Sequence, residues 1–241
     1  MVGLTSHDTL RKHGMSLLQP LRGYRFSLDA LLLAEFARIG QDASVIDLGT
    51  GCGVIPLVLA AQHQTARFVG VESNPDMAAL AVENVCSNSM NARIEIISDD
   101  VLTIRSCFPV SSFDLVVSNP PFRSPGTGKI SPHKGRDSAR HETTAGLVDF
   151  LMSAKYLVKP GGRICFIYHP SRLAEFVSRA AELKLALLRL RMVHGTVGAE
   201  AKMFLAELAK GSRGDLKVEA PLIVYDHSGA YTDEVAELLG E

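Results

Sequence analysis

The fold class is indicated by the segment Ser44-Val45-Ile46-Asp47-Leu48-Gly49-Thr50-Gly51-Cys52-Gly53. Its first five residues predict a short buried strand, and the alternating glycines predict a tight turn directly after it. The apolar run from 54 to 62 then predicts a helix, with Pro56 tolerated in its first turn. A strand, a glycine turn and a helix in this order form half of a nucleotide-binding α/β unit.

The spacing of the glycines indicates which nucleotide this turn binds. Glycines at 49, 51 and 53 do not follow the G-x-G-x-x-G pattern of dinucleotide-binding folds. The carboxylate of Asp47 at the end of the strand would repel a pyrophosphate, but it would attract the ammonium and sulfonium groups of S-adenosylmethionine. The turn therefore favours S-adenosylmethionine, with these candidate contacts: Asp47, Gly49, Thr50, Gly51 and Gly53.

Two further predicted strands also end in acidic residues. The strand at 67–71 ends at Glu72, about 20 residues after the glycine turn, where a carboxylate can accept both ribose hydroxyls. Asn74 then predicts the start of a helix. The strand at 93–97 leads to Asp100, the favoured acceptor for an adenine amine, with Val101 beside it. Each acid alone could equally be a cap or turn residue, but acids at the ends of three successive strands favour a ligand site.

The fourth predicted strand, 113–117, runs into Ser118-Asn119-Pro120-Pro121-Phe122. The two prolines lack N–H groups and fix φ, so the chain must leave the sheet as a stiff, extended turn. The carboxamide oxygen of Asn119 and the proline carbonyls are acceptors, and the Phe122 ring can stack on a planar group. These acceptors and the aromatic ring together suit the binding of an exocyclic amine on an aromatic base. The alternative is a proline-rich turn with a half-buried phenylalanine and no ligand. These four residues, 119–122, are the catalytic candidates, and Asn119 is also a candidate cofactor contact.

The segment 123–141 is rich in Gly, Ser and Pro and carries a local charge of +4 in a chain whose net charge is −1. A basic loop next to an active site could hold phosphates, whereas the alternative is a solvated lid. Its candidate RNA contacts are Arg123, Lys129, Lys134, Arg136, Arg140 and His141.

The remaining elements complete an alternation of strands and helices. A helix is predicted from Ser27 to Arg38, in which Ser27 and Asp29 are either cofactor contacts or simply a cap and a first-turn acid. Helices at 144–157 and 170–183 flank a strand at 163–168, and three strands follow at 185–193, 201–209 and 218–225. Short links between these last strands predict antiparallel pairing.

Length and composition limit the remaining possibilities. A chain of 241 residues, 46% hydrophobic and 21% charged, suits one α/β domain over 1–241, with 1–40 as an N-terminal extension plus first helix and 123–141 as a substrate loop. Four scattered cysteines give no zinc or disulfide pattern, so no metal is expected. Without a signal-like or membrane-length apolar run, we expect a cytoplasmic protein with no membrane partner.

The ordered motifs resemble those of Rossmann-like class I S-adenosylmethionine methyltransferases that act on amino nitrogen. More narrowly, the segments at 26–33, 139–142, 162–163, 169–173 and 221–225 resemble the bacterial valine-tRNA adenine-N6 methyltransferase family, over nearly the whole chain. The resemblance implies a seven-stranded, mostly parallel sheet with antiparallel C-terminal strands and helices on both faces. It also implies that the partner is tRNA, methylated on the adenosine just 3′ of the anticodon. Phe122 stands where relatives often carry Tyr.

Two other functions are compatible with parts of this pattern. Glutamine-N5 methyltransferases of release factors share an Asn-Pro-Pro-aromatic turn, but they carry a separate helical domain first, and only about 43 residues precede the first cofactor strand here. A non-catalytic RNA-binding protein on a methyltransferase fold is the other alternative. Tight cofactor binding without methyl transfer to any tRNA would favour it.

Overall fold

A computed structural model describes residues 5–21, 28–121, 145–212 and 214–241. Within these ranges the strands are β1 (Thr5–Leu10), β2 (Met15–Pro20), β3 (Ser44–Leu48), β4 (Arg67–Glu72), β5 (Ile94–Ser98), β6 (Phe113–Ser118), β7 (Val158–Tyr168), β8 (Leu185–His194), β9 (Ala201–Lys210), β10 (Lys217–Val218) and β11 (Leu222–Ile223). The helices are α1 (Leu28–Phe36), α2 (Val54–Gln62), α3 (Pro75–Ser87), α4 (Ile104–Cys107), α5 (Leu147–Leu157), α6 (Leu173–Glu182) and α7 (Asp233–Leu239). None of the helices in the described ranges is long and apolar enough to cross a membrane.

The main sheet has the strand order β10-β8-β9-β7-β6-β3-β4-β5, with β11 also paired to β8. Strands β3 to β7 run parallel, and β9 is antiparallel to both β7 and β8. The order reverses at β3, which lies between β4 and β6, so a crevice opens there at the carboxyl ends of the strands. The predicted α/β class, the mostly parallel sheet and the antiparallel strand near the C-terminus are confirmed.

The predicted count of seven strands is too low for this sheet, which has nine in the described part of the chain. The difference is β10 and β11, two-residue strands that both pair in parallel with β8. The single strand predicted over 218–225 is therefore wrong. Pro221 separates the two short strands, and a proline cannot donate a ladder hydrogen bond.

Helices cover both faces of the main sheet, as predicted, because successive strand residues point to opposite sides. Val45 and Leu115 pack in one cluster with α1, α2 and α3. Ile46 and Val116 pack in a second cluster with α5 and α6. The strand alternation thus gives the sheet two apolar faces, each of which a helical layer buries.

Several elements differ from the sequence predictions or were absent from them. Residues 5–20 form an antiparallel hairpin, β1–β2, and the short helix α4 and the C-terminal helix α7 were not predicted. The strand predicted at 163–168 begins earlier, since β7 starts at Val158 and includes Gly161-Gly162, and its pairing with β6 shifts register between Phe113 and Leu115. Gly161 has a φ of 78°, so the irregularity sits at a residue without a Cβ.

Candidate active site

A cavity of about 730 Å³ lies at the carboxyl ends of the parallel strands, next to the reversal in strand order. Its volume is in the range of small-molecule sites. Its walls come from the glycine turn, the end of β4, the start of α3, the segments after β5 and β6, and α5. The lining residues are Gly49, Gly51, Glu72, Ser73, Asn74, Pro75, Asp76, Met77, Asp100, Val101, Asn119, Pro121, Ala145 and Phe150.

The glycine turn is held by backbone hydrogen bonds to the neighbouring strand. The N–H groups of Gly49 and Thr50 both donate to the carbonyl of Val71, each at 2.9 Å. Gly49, Gly51 and Gly53 have φ values of 76°, 59° and 84°, which other residues rarely adopt. The alternating glycines are therefore required by the backbone, and two of them, Gly49 and Gly51, line the cavity.

Glu72 is fixed by two backbone donors. Its Oε2 accepts from the N–H of Gly51 at 2.9 Å, and its Oε1 accepts from the N–H of Asn74 at 2.8 Å. Each carboxylate oxygen has further acceptor capacity toward the cavity. The side chain is thus oriented in advance, at the position where the sequence predicts ribose recognition.

The start of α3 forms one wall of the cavity. Asn74 caps the helix, as predicted, because its side chain accepts hydrogen bonds from the N–H groups of Asp76 and Met77. Pro75 occupies the first helical position. In the sequence, Asn74 and Pro75 indicate only the start of a helix. Their position directly after Glu72 nevertheless places them at the same edge of the sheet, where both line the cavity.

Asp100 and Val101 form the wall after β5. The Asp100 carboxylate accepts from the N–H of Leu102 at 2.9 Å, and the carbonyl of Val101 accepts from the hydroxyl of Ser153 at 2.8 Å.

Neighbouring Asp99 does not line the cavity, and its carboxylate accepts hydrogen bonds from Thr103 and Cys107. Of the two adjacent acids, Asp100 is therefore the one that faces the cavity.

The Asn-Pro-Pro turn closes the opposite side. Asn119 is half-buried and Pro121 is exposed, and both line the cavity, whereas Pro120 is buried. The turn is tied to both flanking strands: Ser118 Oγ donates to the carbonyl of Leu48 at 2.7 Å, and the Tyr168 hydroxyl donates to the carbonyl of Pro121 at 3.5 Å. Hydrogen bonds to β3 and β7 thus hold the Asn-Pro-Pro turn in place, and Asn119 lines the cavity.

Phe150 is a wall residue that the sequence analysis missed. It is only 4% exposed, and a Cβ built on Gly49 would lie 3.4 Å from its ring. The helix that carries it was predicted, but a phenylalanine at helical spacing looks the same whether it lines a cavity or fills a core. No local signal separates the two cases.

Asp47, near the end of β3, and Thr50 and Gly53, in the turn, are not among the cavity-lining residues. Asp47 is 1% exposed and lies beside the hydroxyl of Thr50, which favours its charged form. Burial raises its pKa from 3.8 to about 7. A buried acid of this kind, directly behind the turn, suits a site whose ligand carries positive charge. Asp29 lies in the first turn of α1, also outside the lining.

Several predicted contacts lie outside the described residues: Ser27, Phe122, Arg123, Lys129, Lys134, Arg136, Arg140 and His141. Among the described residues no group of His, Cys, Asp and Glu side chains is arranged to hold a metal ion.

A parallel sheet with this strand order, a glycine turn after its first parallel strand and an acid-lined cavity at the reversal define a class I methyltransferase. The chain belongs to the methyltransferase small domain family, whose model matches residues 28–176, and to the same family as proteins named tRNA1(Val) (adenine(37)-N6)-methyltransferase. The resemblance stated from the motifs is thereby confirmed.

The relatives that support this assignment cover most of the chain. A protein of that name from Porphyromonas gingivalis W83 is 33% identical, over 89% of this chain and 86% of its own length. One from Aeromonas salmonicida A449 is 26% identical, over 87% and 86%. A crystal structure of a predicted O-methyltransferase, protein Atu636 from Agrobacterium tumefaciens, matches with a TM-score of 0.72 and 26% identity, over 88% of this chain and 95% of that one.

Proposed function

We propose that the protein transfers a methyl group from S-adenosylmethionine to N6 of an adenine in tRNA, at position 37 of a valine tRNA. The main support for this function is the shared cavity, which Asn119 and Pro121 line together with Glu72 and Asp100. A cofactor on one wall and an acceptor amine on the other would meet there. The names of the relatives, which match over most of their length, support tRNA as the substrate.

The described walls fit the parts of S-adenosylmethionine. Glu72 would accept the ribose hydroxyls, and Asp100 would accept the adenine amine. Val101 and Met77 offer apolar surface to the adenine ring. The backbone at Gly49 and Gly51 lets the ligand approach closely, and the positive ammonium group would favour the ionised form of Asp47. Contacts from Ser27, Asp29, Thr50 and Gly53 stay predictions.

The chemistry explains why an Asn-Pro-Pro turn is needed. The lone pair of an aryl amine is delocalised into the ring, which makes the nitrogen a poor nucleophile. The Asn119 oxygen and the Pro120 carbonyl would each accept one N6 hydrogen, which localises the lone pair and aims it into the cavity. When bound, S-adenosylmethionine supplies an electrophilic methyl group. No strong base is required, because the methylated ammonium loses its proton readily once formed.

The hydrogen bond from Tyr168 bears on which proline carbonyl serves as acceptor. The Pro121 carbonyl accepts from the Tyr168 hydroxyl, so it is turned toward β7. Pro120, which is buried and does not line the cavity, stays a prediction as the second acceptor. Phe122 would stack on the target base, a contact worth about 1–3 kcal/mol. The base would flip out of the anticodon loop to reach Phe122. The basic segment 123–141 would contact the neighbouring phosphates of the tRNA. We expect the protein to act in the cytoplasm.

The two alternative functions predict different reaction products. A release-factor methyltransferase would modify a glutamine of a protein and leave tRNA unchanged. A non-catalytic RNA-binding protein would bind S-adenosylmethionine and tRNA without methyl transfer.

Mass spectrometry of tRNA from cells that lack this protein tests the proposal. Valine tRNA should lose N6-methyladenosine at position 37, and the wild-type gene should restore it, whereas an Asn119→Ala gene should not. Unchanged N6-methyladenosine in the cells without the protein would reject the function.

A further inference from the structure

Asn84 is a fully buried side chain on α3 that joins two other parts of the chain. Its Oδ1 accepts from the N–H of Leu18 at 2.7 Å, and its Nδ2 donates to the carbonyl of Leu18 at 2.9 Å. The same Nδ2 also donates to the carbonyl of Cys52 at 2.9 Å. One carboxamide therefore connects α3, hairpin strand β2 and the glycine turn.

The bond to Cys52 lies at the centre of the glycine turn. Cys52 is 2% exposed and is followed by Gly53, whose φ is 84°. It is preceded by Gly51, whose N–H donates to Glu72. Because a peptide group is planar, a hydrogen bond to the Cys52 carbonyl fixes the orientation of the whole Cys52–Gly53 peptide. Loss of that bond would remove one constraint on this peptide and loosen the turn that fixes Glu72.

We propose that Asn84 is a positioning residue for the cofactor site. It holds the glycine turn in its binding shape and couples that shape to the N-terminal hairpin. Asn84 does not line the cavity, so its effect passes through Cys52 and Gly51. This inference rests on one part of the proposed function, namely that the glycine turn binds S-adenosylmethionine. By linkage, cofactor binding stabilises the contact of Leu18 with α3.

Asn88, the C-cap residue of α3, lies one helical turn after Asn84 and serves as a control. Its Oδ1 accepts from the N–H of Ser16 at 3.2 Å and its Nδ2 donates to the Ser16 carbonyl at 2.8 Å, the same pair of bonds to the same strand. Its Nδ2 also donates to the carbonyl of Asn84, one turn earlier, at 2.8 Å, whereas the further bond of Asn84 goes to the glycine turn. Asn88→Ala therefore controls for loss of the bonds to β2, although Asn84 is fully buried and Asn88 is half-buried.

Calorimetry with S-adenosylhomocysteine on Asn84→Ala and Asn88→Ala tests the assignment. Asn84→Ala should bind about tenfold more weakly, the effect of one lost hydrogen bond, and raise KM for S-adenosylmethionine in proportion with kcat unchanged. Asn88→Ala should bind within about twofold of wild type. Equal weakening in both variants, or unchanged binding in Asn84→Ala, overturns the proposal.

A second measurement uses the wild-type protein, in case Asn84→Ala does not fold. Amide hydrogen exchange, read by NMR with and without S-adenosylhomocysteine, should slow at Leu18 more than at Ser16. Equal changes at the two amides, or none, reject the coupling. A protein that binds the cofactor but does not methylate tRNA would reject the proposed function and leave the comparison of Asn84 with Asn88 intact.

Discussion

Glu72 and Gly51 are joined by a hydrogen bond of 2.9 Å from the glycine N–H to the carboxylate Oε2. The acid that ends β4 and the turn that follows β3 therefore form one unit. A second bond, from the N–H of Asn74, fixes the other carboxylate oxygen. The carboxylate is held before any ligand binds, which reduces the ordering cost of binding.

Glu72→Ala should weaken binding of S-adenosylhomocysteine by roughly 10- to 100-fold, because hydrogen bonds to a charged group contribute about 1.5–3 kcal/mol. Calorimetry measures the affinity. Glu83→Ala is the control, because Glu83 is an exposed glutamate on α3, the helix that follows Glu72, and does not line the cavity. Wild-type affinity in the Glu72 variant would count against ribose recognition by this residue.

Asp47→Asn should change how stability depends on pH. Burial raises the pKa of Asp47 from 3.8 to about 7, so the native state holds the proton more tightly than the unfolded chain. Wild-type stability should therefore fall as pH rises from about 4 to about 7, by up to roughly 4 kcal/mol, and then level off. Asparagine does not titrate, so the variant should lack this slope. Urea unfolding between pH 5 and pH 8.5 measures the difference, and parallel curves for the two proteins would contradict a buried, shifted Asp47.

Gly70→Ala should destabilise the fold, because a Cβ on Gly70 would lie 2.9 Å from both Cγ2 and Oγ1 of Thr50 and 2.8 Å from Cδ1 of Ile96. Overpacking of this kind costs about 1–3 kcal/mol. Gly40→Ala is the matched control, because a Cβ on Gly40 would have no heavy atom of the described residues within 4 Å beyond its own chain neighbours. Its effect should stay within about 0.5 kcal/mol. Equal melting temperatures for the two variants would show that Thr50 does not pack on Gly70 as described.

Lys134→Ala and Arg136→Ala should each weaken tRNA binding and reduce the slope of log affinity against log salt by about one. The exposed Lys217, on β10, provides the control substitution, which should leave the slope unchanged. Filter binding at several salt concentrations measures this. A slope that changes equally in all three variants would argue against phosphate contacts by the basic segment.

The strand-ending residues could be predicted because their signals are local. The glycines at 49, 51 and 53, the acids Glu72 and Asp100, and the Asn-Pro-Pro turn each follow an apolar run, and the parallel topology brings such positions to one edge. The helix cap at Asn74 is equally local, since its partners lie two and three residues away.

The missed features depend on contacts between distant parts of the chain. Asn84 bonds residues 66 and 32 positions away, and its sequence setting is an ordinary helix. The β1–β2 hairpin has weak alternation, so its pairing is not visible locally. The strands β10 and β11 have two residues each and depend on β8 for their pairing. Tertiary packing decides all three.

The role of Asn119 in adenine N6 methylation is tested by methyl transfer from wild type and Asn119→Ala to a valine tRNA transcript. Labelled S-adenosylmethionine should methylate a transcript with adenosine at position 37 and not one with guanosine there. Asn119→Ala should lower the rate by about 100-fold or more, as for loss of a transition-state contact, with cofactor affinity nearly unchanged. Near-normal transfer by Asn119→Ala, or equal transfer to both transcripts by wild type, would contradict the assignment of the Asn-Pro-Pro turn as the adenine N6 methylation site.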